Sequence, residues 1–301
     1  MPYDGHFLRI RNHFLICQLF KTASKKRDWL IVSAGRLESL LYVEEVENSL
    51  MSDQYLRQIL AVYAIDTGPF SAARQVQAQL APMVNQWGGQ FVLSMDPSGS
   101  FAKGTAVRTG TDIDLFISLS SNTPYTLKQI YDSLFTALVQ AGYQPKRQNV
   151  SLNIRVGGYD VDLVPAKRQS QYGEIHSLHS NRSGTWLQTN VGTHIAQVSG
   201  SGRLDEIRLL KIWRNRRVLD FPSFYLELAT IRALSGARQG NIAENVVTAL
   251  EFLRDQLANA RIIDPANTNN VISDSLDAAS KRVIRKAAGA ALQNNWGSEF
   301  S

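Results

Sequence analysis

The chain has a single cysteine in 301 residues, Cys17, and that scarcity closes off two classes at once. One thiol allows neither an internal disulfide framework nor a cysteine-based zinc site, which agrees with a reducing compartment, so a cytoplasmic location is expected. Histidine is nearly as rare, with five residues. The irregular spacing of His176, His179 and His194 points to polar surface or structural roles. Long apolar runs are missing as well: none approaches the ~20 residues needed to span a bilayer. The N-terminal HFLICQLF follows two arginines, as a signal-peptide core would, yet it is short, lacks a small-x-small cleavage site and runs into Lys25, Lys26 and Arg27. Neither a secretory signal nor a membrane partner is expected.

What the chain does have is ample core material, 44% hydrophobic residues over a length that suits one large domain or two modest ones. Its net charge of +6 favours anionic partners, but the basic residues are scattered, with only short clusters such as 25–27, 214–217 and 281–286. Polyphosphate ligands suffice to explain that balance, and a nucleic-acid substrate is not expected.

The richest stretch is GSFAKGTAVRTGTDIDLF at 99–116. Side chains on a strand alternate between faces, so Asp112 and Asp114 point the same way with Cα atoms roughly 6.5–7 Å apart, close enough to bridge hard cations. The apolar run 115–119 makes this a central strand, where two unpaired acids would be costly without a cation. Gly99 lets the backbone approach a phosphate, and Ser100 offers a hydroxyl and a main-chain N–H. A third carboxylate comes from YDVDLVPA at 159–166, where Asp160 and Asp162 share a face and either could serve; Asp162, flanked by Val161, Leu163 and Val164, is favoured. Such a triad suits two Mg²⁺ ions about 3.5–4 Å apart, with Mn²⁺ as an alternative, and in-line phosphoryl displacement.

Periodicity predicts a helix from Met51 and another from an N-cap at Ser71 to 87, kinked or split at Pro82. Strands follow at 91–95 and 113–119, then a helix at 127–141 and a hairpin of 151–156 with 159–164 around Gly157-Gly158. After about residue 200 the strand signal disappears, and helices are read at 204–216, 223–234, 242–260 and 273–292. This is an α/β (α+β) reading: a small mixed sheet backed by helices, a C-terminal helical lobe joined through VSGSGR at 198–203, and substrate in the cleft between. The domains are an N-terminal extension at 1–50, read as preceding a functional polypeptide that starts at Met51, a catalytic core at 51–200 and a helical lobe at 201–301.

With G-S, D-x-D and a later D-L-V-P-A in order, the chain resembles the polymerase-β-like nucleotidyltransferases. More narrowly it resembles the bacterial cyclic-oligonucleotide synthases of anti-phage signalling, the CD-NTases, relatives of cyclic GMP-AMP synthase and oligoadenylate synthase. The resemblance covers roughly 54–295 and is supported by RLLKIWRN at 208–215, FPSFYLELAT at 221–230 and IIDPANTNNV at 262–271. It implies that Asp112, Asp114 and Asp162 bind two Mg²⁺ ions and that Gly99 and Ser100 hold the triphosphate, which Lys211 and Ser223 grip from the helical lobe. Phe224 matches a tyrosine that stacks on a nucleobase in relatives; stacking survives the lost hydroxyl, and Tyr225 next door is an alternative. Glu227 reads as helix packing with a satisfied carboxylate.

The function implied is joining of nucleoside triphosphates into a cyclic di- or trinucleotide with release of pyrophosphate, by a monomer, with any regulatory protein partner left open. The competitors are a terminal nucleotidyltransferase acting on RNA, for which the C-terminal 100 residues leave little room, and a non-catalytic nucleotide-binding module. The latter would gather three mutually repelling carboxylates to no purpose.

Overall fold

A computed structural model describes residues 52–300 apart from Thr111 and Asn295. The extension at 1–50 and the start at Met51 lie outside the described residues.

Helix α1 covers 52–62. Helix α2 (Ala72–Gly88) starts at an extended Ser71 and continues through Pro82 instead of splitting there, because Ala73, Val76, Leu80 and Val84 bury one face on both sides of the exposed proline. A 3-10 turn at Gly89–Phe91 leads into β1 (Val92–Pro97), followed by α3 (Gly99–Lys103) and β2 (Ile113–Leu119). Helix α4 (Leu127–Gln140) opens with a capping box between Thr126 and Gln129. Strands β3 (Lys146–Arg147), β4 (Leu152–Val156) and β5 (Tyr159–Arg168) come next. The β4–β5 turn is Gly157-Gly158, both at positive φ, as the hairpin expectation requires.

These strands form a mixed sheet in the order β1-β2-β5-β4-β3, with β2 antiparallel to β1 and parallel to β5. Strands β6 (His176–Ser180) and β7 (Thr185–Thr189) extend it past the C-terminal half of β5. The alternation of β2 divides its side chains cleanly. Ile113, Leu115 and Ile117 pack with Val76, Leu80, Tyr131 and Leu134 of α2 and α4, whereas Asp114, Phe116 and Ser118 take the opposite face.

The C-terminal part contains α5 (Val191–Ser199), α6 (Leu204–Arg216), α7 (Ser223–Ala233), α8 (Ile242–Asp255), α9 (Ala278–Ala291) and α10 (Trp296–Phe300). Two differences from the sequence reading stand out. A hairpin of β8 (Ile263–Asp264) and β9 (Asn267–Val271) interrupts the helices, so strands do not end near residue 200. The expected helix 242–260 stops at Asp255, and the expected helix 273–292 begins only after a 3-10 turn at Ile272–Ser275. Leu56, Ile59 and Leu60 of α1 pack into the helical core around Trp213, Tyr225 and Val246. Among the described residues no helix is long and apolar enough to cross a membrane.

Candidate active site

Asp112 immediately precedes β2, Asp114 is its second residue, and the parallel register sets Asp114 directly opposite Asp162 on β5. Asp160 lies two residues earlier and is exposed. Asp162 is the nearer electrostatic neighbour: its charge acts on Asp112 more than that of Asp160 does, and it also acts on Asp114. Asn153, paired across from Asp162 on β4, donates from Nδ2 to Asp162 Oδ1 at 2.9 Å and fixes that carboxylate.

All three acids are held above the ordinary carboxylate range. Burial, then the charges of Asp162 and Asp160, raise Asp112. Burial raises Asp162 despite the hydrogen bonds from Asn153 and Ser151, and the charge of Asp160 adds to the rise. Asp114 is pushed up to about 6 by burial and by Asp162, against the opposing pull of Lys103 and Lys211. Among the described residues no group of three or more His, Cys, Asp or Glu side chains forms a finished metal site. The donor set nevertheless fits hard divalent cations: three neighbouring carboxylates, each discouraged from ionising by burial, gain most from a cation.

The Gly-Ser segment is the first turn of α3 rather than an open turn. Ser98 N–H donates to the Asp114 carbonyl at 2.8 Å, which anchors α3 onto β2. Gly99 sits at φ +54°, and a Cβ there would stand 1.7 Å from Asp114 Oδ2. Both facts require glycine, and both put the phosphate-binding backbone expected here against the acids.

Lys103, at the end of α3, is 7% exposed. Its ammonium lies 2.5 Å from Glu227 Oε2, while Lys211 Nζ lies 2.6 Å from Glu227 Oε1 and 2.8 Å from Thr105 Oγ1. Thr105 Oγ1 also donates to Glu227 Oε1 at 2.7 Å. Burial alone would raise Glu227, which is fully enclosed, but Lys211 and Lys103 outweigh it and hold the carboxyl below its usual range. Burial brings Lys211 down to about 8. Glu227 thus joins residues 103 and 105 to α6 and α7, a role the sequence reading missed. The available signal was a lone acid inside the apolar run YLELA.

Ser223, the first residue of α7, accepts from Arg214 Nη1 at 2.8 Å. Phe224 is partly exposed, with the Lys103 ammonium 4.7 Å from its ring centre and the His194 ring 4.5 Å away. Tyr225 is fully buried in the helical core beside Phe221, so it cannot be the stacking alternative. His176 is structural: Nε2 pairs with Ser118 Oγ at 2.8 Å, Nδ1 with the Glu174 carbonyl at 2.9 Å, and burial lowers its pKa. A groove of about 370 Å³ runs elsewhere, past Arg57, Asp205, Arg208 and Gln239, and none of the three aspartates lines it.

No protein-family model matches the chain. The chain is 27% identical over 226 residues to the cyclic AMP-AMP-AMP synthase of Escherichia coli (strain MS 115-1), covering 67% of this chain and 70% of the relative. The structure of E. coli MS115-1 CdnC with ATP matches at a TM-score of 0.60 and 25% identity, over 73% of this chain and 82% of that one. The Bradyrhizobium diazoefficiens CD-NTase CdnG with GTP shares the fold at a TM-score of 0.65 and 16% identity, over 83% and 94% of the two chains.

Proposed function

We propose that the chain, similar to a cyclic AMP-AMP-AMP synthase and to CdnC, is a CD-NTase of the polymerase-β-like nucleotidyltransferase superfamily and joins nucleoside triphosphates into a cyclic di- or trinucleotide, releasing pyrophosphate. The observation that carries the reading is the register of Asp114 against Asp162, with Gly99 packed on the Asp114 carboxylate. The product serves as a second messenger in anti-phage defence, and the enzyme is a cytoplasmic monomer with a catalytic core at 51–200 and a helical lobe at 201–301.

Asp112, Asp114 and Asp162 would hold two Mg²⁺ ions, or Mn²⁺, which would acidify the attacking hydroxyl and neutralise the leaving group. Asp162 takes the proton from the ribose hydroxyl as that oxygen bonds to the α-phosphorus of a second triphosphate and the bond to the pyrophosphate oxygen breaks. The backbone at Gly99 and Ser100 receives phosphate oxygens from one side. Lys211 and Ser223 face them from the other, Lys211 sharing its ammonium with Glu227. Phe224 carries the nucleobase against its exposed ring. Repetition of the transfer within the linear intermediate closes the ring.

The test is mass spectrometry of products from the purified chain with ATP, GTP, CTP, UTP and Mg²⁺ or Mn²⁺. ATP is the first donor to try, given the product of the E. coli relative. A phosphatase-resistant cyclic product made without added RNA, with stoichiometric pyrophosphate, is expected. Label entering only when RNA is added makes the enzyme a terminal nucleotidyltransferase. Nucleotide binding without turnover makes it a binding module.

A further inference from the structure

His194 lies on α5 between the phosphate turn and the proposed stacking residue. Helix α5 packs against α3, which carries Gly99 and Ser100, and the His194 ring approaches Phe224 at 4.5 Å with 49° between the planes. The two rings are therefore not stacked flat, and the imidazole does not cover Phe224 as a parallel partner would.

The orientation of His194 is fixed by Asp264, 70 residues later in the β8–β9 hairpin. Nε2 stands 2.6 Å from Asp264 Oδ1. The same oxygen accepts from the Ala266 N–H at 2.8 Å, and Oδ2 accepts from Asn270 Nδ2 at 3.0 Å. Burial favours the protonated acid, but the hydrogen bonds from His194 and Ala266, the positive charge His194 carries when protonated, and the hydrogen bond from Asn270 together hold Asp264 below its usual range. A carboxylate that only accepts requires Nε2 to carry the hydrogen. In the neutral ring Nδ1 is then the accepting nitrogen, and it has no hydrogen bond among the described residues. The His194 side chain keeps 19% of its surface exposed, against 5% for Asp264.

We infer that His194 is a specificity-determining residue: positioned by Asp264, it offers Nδ1 as an acceptor to the edge of a base stacked at Phe224, and so favours bases bearing an exocyclic amino group, adenine or cytosine, over those with a carbonyl there. This rests on the nucleotide-binding reading of the site. A carbonyl placed against Nδ1 loses a hydrogen bond and sets two lone pairs against each other, which discriminates by roughly tenfold or more.

The experiment compares ATP with inosine triphosphate, which carries a carbonyl in place of the amino group. Two readouts are used on the full chain: kcat/KM for pyrophosphate release and the nucleotide-induced rise in Tm. The wild type is expected to favour ATP by about tenfold. His194→Phe keeps a ring against Phe224 but no acceptor, and is expected to bring the two nucleotides within about twofold through the KM for ATP rather than kcat. Asp264→Asn, which loosens the ring and its tautomer, is expected to fall between. A merely structural His194 lowers the Tm of the unliganded variant and leaves the ATP to inosine triphosphate ratio where it was; that result, or a wild type indifferent to the two nucleotides, overturns the inference. A wild type that releases no pyrophosphate but still melts higher with ATP than with inosine triphosphate overturns the catalytic reading and leaves this one standing.

Discussion

The aspartates at the head of β2 and β5 and the lysines behind them are neighbours built on opposite principles. Asp162 raises the pKa of both Asp112 and Asp114, Asp112 adds to the rise at Asp114, and among the described residues the side-chain hydrogen bonds in this group are those of Asn153 and Ser151 to Asp162. Lys103, Lys211 and Glu227 are more deeply buried, yet every one of those charges is met within 2.6 Å. An unmatched buried charge is costly and a matched one is tolerated, so the acids await a counter-charge and the lysine cluster is already closed. Two ammonium groups and one carboxylate leave a single net positive charge. That charge still reaches Asp114, where both lysines oppose the upward shift. The contrast changes how Lys211 is understood: besides the phosphate role proposed for it, its ammonium is one arm of a tie between α6, α7 and the loop at 103–105.

The sharpest way to test the contrast is to neutralise each side in turn. Asp112→Asn and Asp114→Asn are each expected to reduce pyrophosphate release from mixed nucleoside triphosphates by at least about 10³-fold. The fold should survive, since neither side chain is part of the hydrophobic core. Far-ultraviolet circular dichroism and a turnover assay separate the two effects, and undiminished turnover would refute the acids as the site. Glu227→Ala reverses the pattern. It strands two buried ammonium groups and is expected to destabilise the chain by about 3–5 kcal/mol in urea unfolding. A loss below about 1 kcal/mol would mean that the lysines find water or another acceptor, and the cluster would not be closed.

Which parts of this could be read in advance follows from how local the signal was. Strand β2 and the Gly157-Gly158 hairpin were legible because alternation and a two-glycine turn are contained within a few residues. The choice between Asp160 and Asp162 was not, because it depends on strand pairing: both share a face, and only the register of β5 on β2 sets Asp162 opposite Asp114. Glu227 meets Lys103 across 124 residues and His194 meets Asp264 across 70, distances at which a single sequence carries no pairing information. Strands β7 and β9 were missed for a different reason. TWLQT and NTNNV are short, polar and exposed over most of their length, so their hydrophobic alternation is faint.

A subtler test uses pH, because the raised Asp114 carboxyl should leave a mark on stability. Its folded value is about 6 against an unperturbed 3.8. Between about pH 4 and pH 6 the folded chain therefore holds more protons than the unfolded one, and stability falls as pH rises through that window. Below it the penalty is absent; above it the penalty is complete, at most about 3 kcal/mol. In EDTA, Asp114→Asn is expected to exceed the wild type in urea midpoint at pH 7.5, with the gap closing towards pH 4. Added Mg²⁺ should stabilise the wild type above pH 6 and not the variant. Superimposable pH profiles would show that the acids are not strained, and the contrast with the lysine cluster would lose its basis.

The smallest expected effect falls on Ser223, which stands between the two regimes. Its hydroxyl accepts from Arg214, whose same nitrogen also donates to the Phe221 carbonyl at 3.0 Å. Ser223→Ala removes one of two acceptors and is expected to cost about 1 kcal/mol of stability. If the hydroxyl also donates to a triphosphate oxygen, as proposed, its proton is free to do so, because it is acting as acceptor towards Arg214. Loss of that bond then raises KM several-fold with kcat little changed, the pattern of an interaction made equally in the ground and transition states. An unchanged KM alongside the stability loss would assign Ser223 to the scaffold that holds Arg214, and phosphate contacts from the helical side would fall to Lys211 alone.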